Sequence, residues 1–170
     1  MESKDLKIDK SDKDVIKIAC FKVGNRKYGI DIMNVKEITK FHPITSIPKA
    51  PSFIEGVINL RRVFVPIIDM KKRLEESQTI ITKKTRIIIA SILGKIIGIL
   101  VDEAREVIQV SKKEIKVPPK IVKGIESGYL AGLCQQGEDV VLILDFEKIL
   151  TSSEKIYLDE IDKFKTMIKS

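Results

Sequence analysis

Several residue types that build catalytic and metal sites are scarce in this sequence. It contains no tryptophan, one histidine and two cysteines among 170 residues. A structural zinc site takes about four cysteine or histidine ligands, and a disulfide framework takes several cysteine pairs. The composition therefore argues against both kinds of site, and it predicts that no metal is bound.

The sequence also lacks the motifs that hold phosphates or activate a nucleophile. Neither G-x-x-x-x-G-K-[ST] nor G-x-G-x-x-G occurs. Nucleophilic catalysis needs a base beside the nucleophile, but the only histidine, His42, stands next to Pro43 in a predicted loop. We therefore expect a protein that is not an enzyme and takes no cofactor, with an enzyme of unrecognised type as the remotest alternative.

Long hydrophobic segments are missing as well. The longest apolar stretch, residues 87–101, is interrupted by Lys95 and is shorter than the roughly 18 residues of a membrane-spanning helix. Residues 1–14 are charged throughout and lack the apolar centre of a signal peptide. These features predict a cytoplasmic protein without direct membrane insertion, a flexible tail over residues 1–14, and reduced thiols at Cys20 and Cys134.

Positive charge is in excess, with 31 basic and 24 acidic residues giving a formal net charge of +7. Such a protein could meet nucleic acid, an anionic membrane surface or an acidic partner. No aromatic side chains interleave with the basic clusters to provide a stacking platform for bases, so we expect no nucleic-acid partner. A nucleic-acid-binding small barrel stays open as the alternative from another class, and it would show steep salt dependence. The basic clusters are Lys71, Lys72, Arg73, Lys83, Lys84 and Arg86, then Lys112, Lys113, Lys116, Lys120 and Lys123.

Two blocks of sequence occur twice in the same order, which indicates an internal duplication. Aligning Gly29 with Gly98 places Glu37 on Glu106 and Ile38 on Val107. A second block runs from Gly56 to Asp69 and again, with identical spacing, from Gly132 to Asp145. Chance similarity between isoleucine-rich strands is the competing interpretation, and the matched glycines and aspartates argue against it.

Each half of the chain reads as five short strands, a number that suits a small closed barrel. The predicted fold is mainly β, with a first barrel over residues 15–84 and a second over residues 85–150. Asp69 and Asp145 each follow a strand, and we predict that both cap short helices rather than act in catalysis. Thr151 to Glu154 has the pattern of a capping box, so a C-terminal helix is predicted over residues 153–170. Its apolar stripe is formed by Tyr157, Ile161, Phe164 and Ile168.

Four motifs resemble those of the chemotaxis coupling protein CheW family. E-G-V-I-N-L-R-R-V-F-V-P-I-I-D-M-K-K-R at residues 55–73 looks like the family signature, and Y-G-I-D-I-M-N-V-K-E-I at residues 28–38 resembles its first motif. V-D-E-A-R-E-V at residues 101–107 and Y-L-A-G-L at residues 129–133 resemble later ones. The likeness covers about residues 15–155 in family order. It implies one CheW-like domain over residues 15–152, folded as two intertwined five-stranded SH3-like barrels with a C-terminal helix.

The resemblance implies a non-catalytic adaptor. Such a protein would couple the cytoplasmic tips of methyl-accepting chemoreceptors to the regulatory domain of the histidine kinase CheA, in arrays at the membrane. The coupling half of a CheV-like protein and a detached CheA regulatory domain are the alternatives within the family. By motif position, the implied receptor-contacting residues are Val35, Glu37, Gly56, Arg61, Arg86 and Val107.

The sequence departs from the family pattern at Arg62, where the family usually has glycine after N-L-R. If this position requires a positive φ, an arginine strains the turn. The added charge could also change which receptor or kinase is preferred.

Overall fold

The computed structural model describes residues 14–117 and 127–169, with side chains given except at residues 127 and 162–169. Residues 1–13 of the predicted tail, residue 170 of the predicted helix, and the side chains of Phe164 and Ile168 in the predicted apolar stripe lie outside this description. The remaining predictions for strands, helices and site residues fall within it.

Within residues 14–117 and 127–169, ten strands form the body of the protein, five from each sequence repeat. The first repeat supplies β1 (Val15–Val23), β2 (Arg26–Asp31), β3 (Val35–Lys40), β4 (Gly56–Leu60) and β5 (Val63–Asp69). The second repeat supplies β6 (Arg86–Ile92), β7 (Lys95–Val101), β8 (Glu103–Ser111), β9 (Leu130–Gln136) and β10 (Asp139–Leu144). The described residues also form three α-helices: α1 (Met70–Glu75), α2 (Phe146–Ile149) and α3 (Ser152–Lys169). The predicted mainly β class with a C-terminal helix is confirmed.

The strands form two five-stranded sheets that exchange strands between the repeats. Sheet 1 has the order β8-β1-β2-β10-β9, and sheet 2 has the order β3-β6-β7-β5-β4. Parallel pairs, β2 with β10 and β5 with β7, join strands of different repeats. The predicted intertwining is therefore present, but the predicted ranges 15–84 and 85–150 describe the repeats and not the sheets. Self-comparison of a sequence shows which segments are equivalent and contains no information on which copy supplies each pairing partner.

The pairing registers show that the two repeats are structurally equivalent. Gly29 pairs with Cys20, and the aligned Gly98 pairs with Ile89, 69 residues later in both strands. Each glycine sits where the adjacent strand packs closely. An added Cβ would lie 2.3 Å from Ile18 at Gly29 and 3.0 Å from the aligned Ile87 at Gly98. The matched glycines thus reflect the same close packing in both sheets.

Each sheet curls so that its two edges approach each other. Thr45, after the edge strand β3, pairs with Val57 of the opposite edge strand β4, with N···O distances of 2.9 and 2.8 Å. The equivalent bridge joins Lys116, after β8, to Leu133 of β9, with distances of 2.8 and 2.9 Å. These bridges cover strand edges that would otherwise expose unpaired backbone groups.

Three apolar clusters hold the fold together. One lies within each sheet, and the largest lies between the sheets and includes residues of all three helices. Alternation along β1 supplies two clusters at once, because Ile18 and Cys20 belong to the cluster of sheet 1 while Ala19 and Phe21 face the cluster between the sheets. The sheets are therefore bound to each other by a shared core built mainly from isoleucine, leucine and valine.

The helix caps predicted from the sequence are present. Asp69 accepts a hydrogen bond from the backbone N–H of Lys71 at 3.0 Å, and Asp145 accepts one from Glu147 at 3.0 Å. Before α3, the Thr151 N–H donates to Glu154 at 2.9 Å, and the Glu154 N–H donates to Thr151 Oγ1 at 3.2 Å, which is a capping box. None of the described helices is long and apolar enough to cross a membrane.

Candidate functional site

The edge strand β3 carries two of the predicted site residues on an alternating surface. Half-buried Val35, Glu37 and Thr39 alternate with exposed Lys36, Ile38 and Lys40. Val35 packs against the cluster between the sheets. Glu37 extends from the same strand toward the turn between β4 and β5. The strand thus anchors itself through an apolar residue and presents charged and apolar side chains to solvent.

Glu37 and Arg61 form an ion pair, although 24 residues separate them in the sequence. The Arg61 side chain is 70% exposed and that of Glu37 is 34% exposed. The hydrogen bond to Glu37 raises the pKa of Arg61, so the arginine stays charged. The side chains of exposed ion pairs are screened by water and contribute little to folding. This pair is therefore available to a partner at small cost to the fold.

Arg61 and Arg62 form the two-residue turn between β4 and β5, and both have positive φ, 50° and 70°. A two-residue hairpin turn with two positive φ values is of type I′, for which glycine is preferred at the second position. The Arg62 N–H donates to Asn59 Oδ1 at 2.9 Å, which closes the turn. The departure noted at Arg62 thus falls at a position where the backbone favours glycine.

Gly56 opens β4 at the bridge that closes sheet 2. Its φ is 152°, and an added Cβ would lie 2.2 Å from the carbonyl oxygen of Thr45. The residue therefore permits close approach of two backbone segments. Its place in the site is to fix the position of β4, and with it the turn that carries Arg61.

Arg86 and Val107 do not contact the ion pair between Glu37 and Arg61. The Arg86 Nη1 donates to the carbonyl oxygens of Lys83 and Thr85, both at 2.9 Å, so its guanidinium binds its own preceding loop. Arg86 pairs with Lys40 at the far end of β3. Val107 is 52% exposed and lies on β8 of sheet 1, opposite Ala19. Four of the six predicted residues therefore lie in strands of sheet 2, Arg61 lies in its β4–β5 turn, and Val107 lies in sheet 1. Among these six, Glu37 and Arg61 are the pair joined by a side-chain bond.

The second repeat carries an ion pair at the position equivalent to Glu37. Lys27 of β2 donates to Glu106 of β8, and this bond is the main cause that lowers the pKa of Glu106. The alignment of Glu37 with Glu106 was visible in the sequence, but no role followed from it. The structure shows that the edge strands β3 and β8 each hold a glutamate in an ion pair, next to an exposed aliphatic residue, Ile38 or Val107.

Comparisons with known proteins agree in identifying one family. Residues 17–154 match the CheW-like domain. The chemotaxis protein CheW of Klebsiella aerogenes is 35% identical over 143 residues, which cover 84% of this chain and 86% of that protein. The chemotaxis protein CheW of Treponema pallidum is 34% identical over 141 residues, covering 81% and 83%. The crystal structure of the scaffolding protein TtCheW from Thermoanaerobacter tengcongensis superposes with a TM-score of 0.74 and 36% identity, covering 82% of this chain and 90% of that one.

Proposed function

The chain belongs to the CheW-like domain family, and on this premise we propose that it is a non-catalytic adaptor that couples chemoreceptor cytoplasmic tips to the histidine kinase CheA. The observation that carries the proposal is the family match over residues 17–154, which spans all ten strands and both sheets. The whole domain over residues 17–154, and not one motif, is therefore shared with the chemotaxis proteins.

The surface of the protein supports an interaction role. Exposed aliphatic side chains stand beside ion-paired glutamates on the edge strands β3 and β8, at Ile38 and at Val107. Exposed apolar groups rimmed by charge are typical of protein-docking sites. The single histidine, His42, lies 3.0 Å from the Thr39 hydroxyl, which is the one side-chain hydrogen bond recorded for it within the described residues. The edge strands β3 and β8 therefore offer a surface suited to binding a protein partner.

We assign the receptor contact to the rim formed by Glu37 and Arg61. A receptor tip is a helical hairpin, and helix docking uses an apolar strip with charged residues at its edge. Val35 and Gly56 hold this rim in place through packing and through the bridge to Thr45. Arg86 and Val107 extend the proposed contact with weaker support, because neither contacts the ion pair. The adaptor would act where receptors are clustered, in arrays at the cytoplasmic side of the membrane.

Charge swapping tests the assignment, because the ion pair provides an internal control. Glu37→Lys and Arg61→Glu are prepared singly and together, and each protein is melted and co-sedimented with a receptor cytoplasmic fragment. We expect the singles to bind receptor about tenfold more weakly and to melt close to the parent. The double variant restores the pair with reversed polarity, so it should melt like the parent and still bind poorly.

A purely structural pair would behave differently. In that case each single reversal would lower the melting temperature markedly, and the double variant would regain both stability and receptor binding. Normal receptor binding by both singles would also contradict the assignment.

A further inference from the structure

The loop between α1 and β6 reverses the usual distribution of polar and apolar side chains. Thr79 and Thr85 are 6% and 1% exposed, whereas Ile80 and Ile81, which lie between them in the sequence, are 73% and 46% exposed. Isoleucine is among the residue types most often buried, and threonine is mostly exposed. Two neighbouring isoleucines therefore project from the surface at one point. We call residues 79–85 the threonine loop.

Hydrogen bonds hold the threonine loop in one conformation. The carboxylate of Asp69, which caps α1, accepts from the Thr79 N–H at 2.9 Å and from the Thr79 hydroxyl at 2.6 Å. Thr85 Oγ1 accepts from the Thr82 N–H at 2.8 Å, and the Thr85 N–H donates to the Thr82 carbonyl oxygen at 3.2 Å. These polar groups are bonded within the protein, and a bonded polar group loses less free energy on leaving water than an unbonded one.

The threonine loop carries positive charge beside its exposed isoleucines. Lys83 and Lys84 follow Ile81 closely and are exposed, and neither forms an ion pair with any residue that the structure describes. No acidic residue lies between Thr79 and Arg86, and the whole chain has a formal net charge of +7. The loop therefore combines an apolar tip with basic side chains that are free to meet an anionic group.

Three kinds of partner could meet a basic and apolar loop, and one of them uses both properties. A nucleic-acid backbone would contact the lysines but would leave the isoleucines in water. A folded protein needs a complementary surface, yet two clefts of the chain, of about 530 and 320 Å³, are lined by no residue of the threonine loop. A fluid lipid surface adapts to a projecting loop, accepts apolar side chains beneath its headgroups, and attracts lysine to its phosphates.

We infer that the threonine loop is a peripheral contact site for an anionic lipid surface. Ile80 and Ile81 enter the boundary between headgroups and acyl chains, and Lys83 and Lys84 bind lipid phosphates. In this arrangement no segment crosses the bilayer, and a single small loop gives weak, reversible binding. The inference goes beyond the adaptor function and does not depend on it, because it rests on a loop that contains none of the assigned receptor-contacting residues.

Flotation with lipid vesicles measures this contact on the full chain. The vesicles contain phosphatidylcholine alone, or phosphatidylcholine and phosphatidylglycerol in equal parts. Ile80→Ser with Ile81→Ser removes the apolar side chains, and Lys83→Glu with Lys84→Glu reverses the charge. All four side chains are exposed, so both double variants should melt like the parent.

Lys112→Glu with Lys113→Glu is the matched control for the charge reversal. These exposed lysines lie in a helical turn after β8 and undergo the same charge change. At physiological salt, charges more than about 8 Å apart are largely screened. We therefore expect the parent and this control to bind the anionic vesicles alike, and both loop variants to bind them about tenfold more weakly. Vesicles of phosphatidylcholine alone should bind none of these proteins strongly.

Tryptophan fluorescence reports whether the loop itself enters the lipid. The chain contains no tryptophan, so Ile80→Trp introduces a single indole at the loop. Its emission should shift to shorter wavelength with anionic vesicles and be quenched by lipids brominated on their acyl chains. Val140→Trp is the control, because Val140 is 51% exposed and lies on β10 of the other sheet, and its emission should stay that of an indole in water.

Four results would overturn the inference. Failure of the parent to bind anionic vesicles would do so while leaving the adaptor function untouched. Equal loss of binding in the lysine variant of the loop and in its control would show that net charge, and not the loop, causes adsorption. Unchanged emission of the Ile80→Trp variant on bound vesicles would exclude entry of the loop. Loss of receptor co-sedimentation in both loop variants, without vesicle binding by the parent, would assign the loop to a protein partner.

Discussion

Replacing Arg62 by glycine should stabilise the protein, because this residue occupies a left-handed backbone conformation. A non-glycine residue in this region costs about 1–2 kcal/mol. Glycine also makes the unfolded chain more flexible. This lowers the free energy of unfolding by about 0.4–1 kcal/mol and offsets part of that gain. Arg62 is exposed, and its backbone N–H, not its side chain, makes the bond to Asn59. The net expectation is that the free energy of unfolding rises by about 0.5–1 kcal/mol.

Thermal melting and urea unfolding measure this change, which corresponds to about 2–3 °C in melting temperature for a protein of this size. Arg62→Ala is the matched control, because it removes the same charge and side chain but keeps the Cβ that causes the strain. Stabilisation by glycine alone would support the backbone explanation. Equal effects of glycine and alanine would refute it and would point to the charge of Arg62.

Three further predictions concern buried groups. Thr79→Ala removes a buried hydroxyl that donates to Asp69, so the free energy of unfolding, measured with urea, should fall by about 1–2 kcal/mol. Thr79→Ser keeps the hydroxyl and should recover most of this loss. Gly98→Ala places a Cβ 2.5 Å from Ile67 and should cost about 1–3 kcal/mol, whereas Gly128→Ala, with no atom within 4 Å, should change melting little. Burial raises the pKa of Cys20 from 9.0 to about 11, so the native thiol should react slowly with thiol reagents at pH 8. Because the thiol ionises at a lower pH in the unfolded chain than in the native protein, the stability that it contributes below pH 9 should be lost as the pH rises toward 11. Rapid native-state labelling, followed by mass spectrometry of the Cys20 peptide, would contradict the last of these.

The sequence predicted the strands and the helix caps because both depend on local patterns. The five strands predicted in each half are present, and Asp69 and Asp145 cap helices in the structure. Gly29 and Gly98 revealed the duplication because equivalent close packing requires the small residue in both copies. These features depend on residue type and spacing, which a single sequence displays directly.

Other features depend on tertiary pairing, which a single sequence does not display. Alternating apolar residues in β2 indicate which side chains are buried, but they do not show that the partner strand is β10 of the other repeat. The separation of Val107 from the Glu37 rim follows from the same strand exchange. In the sequence, residues 79–85 look like an ordinary polar connection. The burial of Thr79 depends on its hydrogen bond to Asp69, ten residues earlier, and a single sequence does not display that contact.

The candidate site residues came from the family resemblance, which contains no information on their contacts. Glu37 and Arg61 were named by motif position, and the structure shows that the two side chains meet at the surface. Arg86 also lies in sheet 2, but its guanidinium binds its own loop, a role that its position in the sequence did not indicate. The family resemblance named residues of both sheets, whereas the bonds that each side chain makes became visible only in the structure.

Co-sedimentation in a three-component mixture tests the adaptor role most directly. A CheA fragment containing the regulatory domain is mixed with an assembled receptor cytoplasmic fragment, with and without this protein, and the kinase in the pellet is quantified. We expect the kinase to pellet with receptor in an amount that rises with added protein, and we expect Glu37→Lys with Arg61→Glu to largely abolish the rise. Equal amounts of kinase in the pellet with and without the protein would contradict the adaptor role.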